Sequence, residues 1–441
     1  MKPQILISAT NAGSGKTIFA MGLICALRRK GFRVQPFKCG PEVSDSQLLT
    51  LSAGHETINL DTWFASYTNV QHLYNQYGEK ADVCLIEGNG GLFDGYKRLQ
   101  GSSAEIAKLL NIPVILLVNA RASGYSVASV IYGFKHFHPK VRIGGVVFNQ
   151  ITSPAQYTFL REACADAGVD CLGYLPQNVA FKLPSKHTSI TLTTKKALDV
   201  QANLAADYIE QYVDVNRLLN GCNRNFPCQY TLPYSSDIET EIPSSSAHPI
   251  KIAIAHDPAF NHIYPENIAR LALNGKITYF SPVYGTELPE ADFIYLPGGY
   301  PELFARQLHR RRKIMDALKA YAENGGRIFA ECGGMVFLGR SLTVREGGTA
   351  YPMSGVLPLD FTAVSAKLIS GYRKLIYNDV ELKGNEFHYS NVATPDTSLV
   401  VAQATNLKGG EVELPLYRYK NVIASYGHWY WGDKNLFDLW K

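Results

Sequence analysis

The sequence predicts an α/β protein of two domains, each built on a parallel β-sheet. The chain has 441 residues, more than one hydrophobic core usually serves, so two domains of roughly 200 residues are expected. Short apolar runs alternate with helical segments in both halves, as in parallel sheets covered by helices on both faces. Between the halves, residues 221–249 are rich in Pro, Ser, Asn and Cys and lack periodicity, which indicates a linker.

The individual elements follow from these apolar runs. In the first half, strands are predicted at 5–9, 83–86, 114–118 and 145–149, and helices at 18–29 and 157–167. In the second half, strands are predicted at 250–255, 277–280, 293–296 and 327–330, and helices at 265–273 and 302–324. We therefore place a first domain at 1–195, a helix and linker at 196–248, and a second domain at 249–441. The helix, at about 197–219, is predicted to lead away from the first domain.

Composition excludes several classes of function. The net charge of +5 comes from dispersed Lys and Arg residues, and the run Arg310–Lys313 is short enough to be a solvated helix face, so nucleic acid is not implied. No window approaches the ~20 apolar residues that a membrane span needs. The apolar start at 5–9 is too short for a signal peptide. We therefore expect a cytoplasmic protein without a membrane partner.

The eight cysteines show neither a CxxC pair nor a Cys/His array. A disulfide framework and a zinc site are therefore not expected. Most of these cysteines are predicted to be small buried hydrophobic residues.

A phosphate-binding loop is predicted between the first strand and the first helix. The segment Thr10-Asn11-Ala12-Gly13-Ser14-Gly15-Lys16-Thr17 has the strand, loop and helix context of a Walker A motif, with Thr10 in place of the first glycine. Gly13 and Gly15 allow backbone amides to face a phosphate, Lys16 supplies a cation, and Thr17 supplies a hydroxyl for Mg²⁺. A chance glycine-rich turn is the alternative, and the context disfavours it. ATP and Mg²⁺ are the expected ligands.

Three carboxylates are candidates for the same site. Glu87 follows a buried strand, where a side chain projects into the ligand crevice at the carboxyl ends of the strands. With Thr17, it is the predicted Mg²⁺ ligand. Asp94 and Asp45 are further candidates. Each of the three could instead be a solvated acid.

In the second half, the sequence predicts a cysteine nucleophile and its partners. Cys332 lies in Ala-Glu-Cys-Gly-Gly, at a sharp turn from strand to helix that would expose the thiol and lower its pKa. Gly298 and Gly299 end another strand, so their amides could form an oxyanion hole. His428, after a strand near the C-terminus, is the candidate general base. The alternatives are an inert buried cysteine and a structural histidine.

These motifs, in this order, resemble the cobyrinic acid a,c-diamide synthase family. The resemblance rests on Ala-Glu-Cys-Gly-Gly with Leu-Pro-Gly-Gly-Tyr-Pro-Glu at 296–302, and on the phosphate loop with Glu-Gly-Asn-Gly-Gly-Leu-Phe-Asp-Gly at 87–95. Further matching segments spread it over essentially the whole chain: 37–41, 59–63, 101–104, 259–260, 264–267 and 384–390.

The resemblance implies a dethiobiotin-synthetase-like P-loop ATPase domain joined to a class I glutamine amidotransferase domain of flavodoxin-like fold. It implies ATP-dependent amidation of the a- and c-acetate carboxylates of cobyrinic acid, with ammonia from glutamine, in cobalamin biosynthesis. Cys332 would then be the nucleophile and His428 the residue that raises its nucleophilicity, while Glu87 and Asp94 match acids of the ligase site. The implied partners are the corrinoid, glutamine and ATP, and a homodimer is compatible with the sequence.

The chain also departs from the family pattern. Where the family reads Gly-Pro-Asp-Tyr-Ile/Leu-Asp followed by histidine, this chain has Gly40-Pro41-Glu42-Val43-Ser44-Asp45-Ser46. The family's His-Leu-His is His428-Trp429-Tyr430, and its Leu-Pro-x-Arg-His is the segment 183–187, which lacks the arginine.

Because the altered loop is expected to meet the tetrapyrrole, other substrates stay open. The alternatives are the same chemistry on nickel sirohydrochlorin or another polycarboxylate, and a nucleotide- or tetrapyrrole-binding module without ligase turnover. The residues that argue against such a module are the retained Lys16, Thr17, Glu87, Asp94, Cys332 and His428.

Overall fold

The computed structural model describes residues 1–181, 183, 191–228, 249–365 and 367–441. Within these residues the chain forms two compact units, one within 1–228 and one within 249–441. Most of the predicted linker and most of the segment 183–187, which lacks the family's arginine, lie outside the described residues. Among the described residues, no helix combines the length and apolarity needed to cross a membrane.

The first unit is built on a parallel sheet. Its described strands are β1 Lys2–Ala9, β2 Val34–Cys39, β3 Ile58–Leu60, β4 Val83–Glu87, β5 Val114–Asn119, β6 Ile143–Ile151, β7 Cys171–Pro176 and β8 Asn223–Arg224. The order across the sheet is β3-β2-β4-β1-β5-β6-β7, all parallel, and β8 pairs antiparallel with the start of β1. Because helices cover both faces, the central strands are almost wholly apolar and buried.

Helices connect these strands. They are α1 Lys16–Arg29, α2 Val43–Ala53, α3 Tyr67–Gly78, α4 Ser103–Leu110, α5 Val127–His136, α6 Pro154–Asp166, α7 Leu192–Tyr212 and α8 Val215–Gly221, with a 3₁₀ turn at Val179–Phe181.

The region predicted as one helix leading away from the first domain differs in the structure. It forms two helices, α7 and α8, and α7 packs along α1 within the first unit. Gly22 makes this packing possible, because a Cβ at position 22 would lie 2.7 Å from the Cβ of Ala205 on α7. The buried face of α7, which includes Ala202 and Ile209, adds to the core of this unit.

The second unit contains one large mixed sheet and one small sheet. Its described strands are β9 Ile250–Ala255, β10 Gly275–Phe280, β11 Phe293–Leu296, β12 Arg327–Glu331, β13 Ser341–Thr343, β14 Tyr351–Pro352, β15 Asp360–Thr362, β16 Ile369–Tyr377, β17 Val380–His388, β18 Asn391–Thr394, β19 Val400–Thr405, β20 Glu411–Tyr419, β21 Val422–Ser425 and β22 Gly427–Tyr430. The large sheet has the order β10-β9-β11-β12-β21-β20-β19-β16-β17-β22, parallel from β10 to β21 and antiparallel from there to β22. The small sheet has the order β14-β13-β15-β18.

Short helices flank the large sheet. They are α9 Pro265–Ala272, α10 Ala305–Leu308, α11 Arg312–Glu323 and α12 Gly333–Leu338, with 3₁₀ turns at Pro301–Phe304, Thr397–Leu399 and Leu436–Trp440. The single helix predicted at 302–324 is therefore broken. The break coincides with Arg311, whose backbone angles of φ −87° and ψ 50° are not helical and whose Nε donates to the Val283 carbonyl at 2.7 Å.

Candidate active sites

The glycine-rich loop of the first unit joins β1 to α1. Gly13 and Gly15 have φ of 74° and 92°, left-handed values that favour glycine. A Cβ at position 15 would lie only 2.2 Å from Nδ2 of Asn149, which donates to the Ser14 carbonyl at 2.8 Å. Asn149, on β6, therefore braces the loop. It was not predicted as a site residue, although it is a polar residue at the end of an apolar run.

The structure brings Lys16, Thr17 and Glu87 together beside this loop. Lys16 Nζ donates to the Gly90 carbonyl at 2.5 Å, and Thr17 Oγ1 donates to Glu87 Oε1 at 2.6 Å. Burial lowers the pKa of Lys16, and the neighbouring charge of Lys38 adds to that effect. The beginning of α1 and the end of β4 therefore meet at one point, as the sequence predicted.

Lys38, near the end of β2, is a charged residue of this site that was not predicted from the sequence. Its Nζ lies 3.1 Å from Asp45 Oδ2 and 3.4 Å from Glu87 Oε1, and it donates to the Gly88 carbonyl at 3.2 Å. Burial opposes its charge, but Glu87 and Asp45 outweigh burial and raise the pKa of Lys38. The sequence feature that could have indicated this role is a lysine within an otherwise buried strand.

The oxygen atoms beside Thr17 suit a magnesium ion. Glu87 Oε2 is buried and has no hydrogen-bond partner among the described residues, while burial raises the pKa of this carboxyl and Lys38 opposes the shift. No group of three or more His, Cys, Asp and Glu side chains in the described part of the chain could hold a metal. Mg²⁺ commonly takes one or two carboxylates and completes its shell with phosphate and water. Thr17 and Glu87 fit that kind of site.

Asp94 bonds the backbone of the loop at 87–95, whereas the other two predicted acids contact side chains of the cluster. Its Oδ2 accepts a hydrogen bond from the Gly91 amide at 2.9 Å, and a Cβ at position 91 would lie 2.6 Å from the same oxygen. Asp94 therefore supports the loop that contains Gly90, the residue whose carbonyl receives Lys16. Asp45, by contrast, contacts the cluster directly through Lys38.

In the second unit, Cys332 lies in the turn between β12 and α12. Its φ of 43° and ψ of −107° are unusual for a residue with a side chain, and strained backbone of this kind is often found at functional sites. Cys332 N donates to the Ser425 carbonyl at 2.7 Å. A Cβ at Gly334 would lie 2.1 Å from the Leu296 carbonyl oxygen, which explains the glycine there.

The environment of the thiol differs from the sequence prediction. The residue is 3% exposed, so it is not an open thiol, and the prediction of a lowered pKa was wrong. Burial raises the pKa of Cys332 and Glu302 adds to this effect, while the backbone amides of Gly299 and Gly333 bond the sulfur and oppose it. Those two amides are also the donors that an oxyanion would need.

His428, on β22, approaches the same point as the thiol. The Phe387 carbonyl oxygen lies 3.8 Å from Cys332 Sγ and 3.2 Å from His428 Nε2. Gly298 leaves room for the ring, because a Cβ there would lie 2.1 Å from His428 Cε1. Burial lowers the pKa of His428 to about 4, so the imidazole is neutral near pH 7.

Two buried glutamates beside this pair were not identified from the sequence. Glu331 accepts hydrogen bonds from the Tyr295 hydroxyl at 2.7 Å and from the Trp429 amide at 2.8 Å. Glu386, on β17, pairs with Arg373 at 2.6 Å and with His388 at 2.9 Å. Glu331 directly precedes Cys332, which was a local signal, whereas Glu386 is adjacent to no residue that the sequence had assigned to the site.

Comparisons with known proteins agree with this division into two sites. Residues 5–190 match a family model described as a CobQ/CobB/MinD/ParA nucleotide binding domain. Residues 251–436 match a model described as a CobB/CobQ-like glutamine amidotransferase domain.

Full-length relatives carry one common name. The cobyrinate a,c-diamide synthase of Listeria innocua is 34% identical over 96% of this chain and 95% of its own length. That of Saccharolobus solfataricus is 31% identical over 98% of this chain and 99% of its own length. A solved structure titled "Crystal structure of glutamine amidotransferase" covers 40% of this chain and 89% of that chain at 20% identity and a TM-score of 0.29, which is too low to inform the fold.

The fold and the two sites define a class of protein in which a nucleotide-binding α/β domain and a glutamine amidotransferase domain share one chain. The matches to individual proteins extend along nearly the whole chain and nearly the whole of each relative. The chain belongs to the cobyrinate a,c-diamide synthase family.

Proposed function

We propose that this protein uses ATP and glutamine to amidate the a- and c-acetate carboxylates of cobyrinic acid in cobalamin biosynthesis. This chain aligns over nearly its whole length with cobyrinate a,c-diamide synthases. The proposal rests on two kinds of site that occur together in one chain. One is the cluster of Lys16, Thr17 and Glu87 at a glycine-rich loop. The other is Cys332 beside His428.

The glutaminase step follows from the second site. The sulfur of Cys332 attacks the side-chain amide carbon of glutamine, and His428, neutral at this pH, accepts the thiol proton. The amides of Gly299 and Gly333 stabilise the negative oxygen of the tetrahedral species. Ammonia leaves with that proton, and water hydrolyses the thioester to glutamate and the free thiol.

The ligase step follows from the first site. Lys16 and the loop amides around Gly13 and Gly15 bind the phosphates of ATP. Thr17 and Glu87 would hold Mg²⁺, which neutralises phosphate charge when bound. A substrate carboxylate attacks the γ-phosphorus and ADP leaves, after which ammonia displaces phosphate from the acyl phosphate. Activation is required because a carboxylate itself does not react with ammonia at neutral pH.

The test is mass spectrometry of the products formed from cobyrinate, glutamine and Mg·ATP, with nickel sirohydrochlorin assayed in parallel. We expect cobyrinate to gain two amide groups. Amidation of nickel sirohydrochlorin alone would transfer the activity to that substrate, which the altered segment Glu42-Val43-Ser44 keeps open. Binding of nucleotide or tetrapyrrole without amidation of either acid would contradict the ligase assignment.

Replacing the nucleophile separates the two steps. Cys332→Ser is expected to abolish amidation with glutamine, because the alcohol is a much weaker nucleophile in this site, and to spare amidation with added ammonium chloride. Product formation is measured with each nitrogen source. Retention of glutamine-dependent amidation in Cys332→Ser would exclude Cys332 as the nucleophile.

The sequence further predicts a cytoplasmic protein with small-molecule substrates, and a homodimer is compatible with it. We propose ATP as the nucleotide and Mg²⁺ as its ion on the support of the Walker-type loop and the paired Thr17 and Glu87.

A further inference from the structure

Strand β22, which carries His428, has an unusual edge. It is the last strand of the large sheet and pairs on one side with β17, where His428 faces Asn385 and Trp429 faces Gly384. On its other side, within the described parts of the chain, side chains rather than a strand satisfy the backbone. The Trp429 amide donates to Glu331 Oε1 at 2.8 Å, and the Trp429 carbonyl accepts from Asn267 Nδ2 at 2.8 Å.

Glu331 connects this edge to the strand that carries the nucleophile. It is the last residue of β12 and directly precedes Cys332, while Trp429 directly follows His428. The hydrogen bond between the Glu331 side chain and the Trp429 amide therefore connects the residue before Cys332 to the residue after His428. Glu331 is 2% exposed, and its partners Tyr295 and Trp429 are 0% exposed, so water cannot replace the contact.

We propose that Glu331 is a positioning residue for the glutaminase reaction, which sets the distance between the Cys332 thiol and the His428 imidazole by holding Trp429 against β12. This role rests on the proposed function of Cys332 and His428. Misplacing a reacting group by about 1 Å can cost on the order of 100-fold in rate. A loosened β22 would displace His428 in that way without changing either reacting side chain.

Glutamine and alanine at position 331 distinguish positioning from charge. In Glu331→Gln, the amide oxygen can accept from the Trp429 amide, and the amide nitrogen can donate to the Tyr295 oxygen. Glu331→Ala loses both contacts and leaves a buried N–H and a buried hydroxyl unpaired. We expect Glu331→Gln to keep glutamine hydrolysis within a few-fold of wild type, and Glu331→Ala to lose about 100-fold in kcat.

A matched control is available in the other unit. Glu105 is also buried and also accepts from a tyrosine hydroxyl and a backbone amide, Tyr67 at 2.7 Å and Gly101 at 2.7 Å. Glu105→Ala removes a contact of the same kind far from Cys332 in sequence. It should leave the reactivity of Cys332 unchanged, whatever it does to stability.

The decisive measurement is the rate at which iodoacetamide alkylates Cys332 in the full-length protein, determined as a function of pH. After digestion, mass spectrometry of the peptide that contains Cys332 gives the extent of alkylation. We expect superimposable profiles for wild type, Glu331→Gln and Glu105→Ala up to about pH 8, where Glu331 itself ionises. Glu331→Ala should shift toward higher pH, because its thiol has lost the imidazole that accepts the proton. Amidation with added ammonia should persist in Glu331→Ala, which shows that the first unit remains folded, and the fluorescence of the three tryptophans of the second unit should match that of wild type, which shows the same for the second.

Two results would overturn the proposal. An unchanged alkylation profile in Glu331→Ala would show that the contact does not position the pair. A Glu331→Gln variant as impaired as Glu331→Ala would show that the two hydrogen bonds alone do not position the pair. If wild type hydrolysed no glutamine, the proposed function would fail, while the alkylation profiles would still report on Glu331.

Discussion

Lys38 is a fully buried lysine whose charge depends on two carboxylates, Asp45 on α2 and Glu87 on β4. Asp45 and Glu87 lie 3.1 and 3.4 Å from its ammonium group. Removing one member of such a buried group leaves an uncompensated charge, which is strongly destabilising. At the scale of single residues, Lys38 therefore orients Glu87, the acid that also bonds Thr17.

The sequence could identify Glu87 but not this role of Lys38. A glutamate directly after an apolar strand is visible as a break in hydrophobicity. A lysine in a buried strand looks the same whether it is paired or points to solvent, because its partners come from another strand and from α2. The structure brings Lys16, Thr17 and Glu87 together, while their roles in binding nucleotide stay predictions.

Glu87→Gln tests the proposed magnesium ligand. The change keeps the size of the side chain but replaces a charged oxygen with a neutral amide, and we expect roughly a 10- to 100-fold loss of Mg²⁺ affinity. Calorimetric titration of Mg²⁺ at saturating nucleotide measures the effect.

Glutamine hydrolysis should continue in Glu87→Gln, because Cys332 and His428 are untouched. Glu105→Gln, at a buried glutamate that contacts neither Lys16 nor Thr17 among its described bonds, is the control and should bind Mg²⁺ normally. Equal affinity in Glu87→Gln and wild type would exclude Glu87 as a ligand.

At the scale of elements, the predictability of a strand depends on how apolar its sequence is, since the wholly buried strand β2, which contains Gln35 and Lys38, was not predicted. The buried strands β9 and β11 were predicted with the bounds that they have in the structure. Strand β16 has Leu375 as its one fully buried residue and therefore lacks an apolar run. Strand β17 was also missed, although five of its residues are buried, because Asn385, Glu386 and His388 among them are polar.

The packing of α1 against α7 could not be predicted from the sequence either. Gly22 was unremarkable within an apolar helix, since a glycine signals close packing only when the opposing surface is known. That surface is Ala205, whose backbone carbonyl carbon would lie 2.9 Å from a Cβ at position 22.

Gly22→Ala should destabilise the first unit. The added methyl group forces α7 away from α1, and overpacking of this kind costs about 1–3 kcal/mol, more than the roughly 1 kcal/mol that alanine gains over glycine in a helix. Urea unfolding measures the change.

Gly133→Ala, on α5, is the matched comparison, because a Cβ there meets nothing within 4 Å. It should raise stability slightly. Equal effects of the two substitutions would show that α7 does not press on Gly22.

At the scale of the whole molecule, two chemistries with different requirements share one chain. The first unit concentrates charged groups at the ends of parallel strands, while the second buries its thiol and its imidazole. The sequence predicted this division from the two sets of motifs. The exact domain boundaries stay predictions, because 184–190 and 229–248 lie outside the described residues.

Burial of ionisable groups should make the second unit sensitive to pH. Burial lowers the pKa of His262 to about 3 and that of His428 to about 4, from 6.5. The unfolded chain then binds more protons than the folded chain below pH 6.5, so stability is lost as the pH falls from 6.5 toward 4. Burial raises the pKa of Glu331 from 4.5 to about 8, so its contribution is lost as the pH rises toward 8.

We therefore expect the unfolding midpoint to be highest near pH 6.5. Tryptophan fluorescence can follow it, since three of the four tryptophans, at 429, 431 and 440, belong to the second unit. His262→Gln should weaken the dependence on the acid side, and Glu331→Gln should weaken it on the alkaline side. A midpoint that is constant between pH 4 and 8 would contradict this account.

The burial of Cys332 also bears on the choice of chemical probes. Of the eight cysteines, all of which the structure describes, Cys25 and Cys171 are partly exposed and the others are buried. A general electrophile should therefore label those two first, even though neither belongs to a site. Selective inhibitors of the amidotransferase domain should be designed for the shape of a glutamine side chain, with modest intrinsic reactivity, so that recognition brings the warhead to the enclosed sulfur.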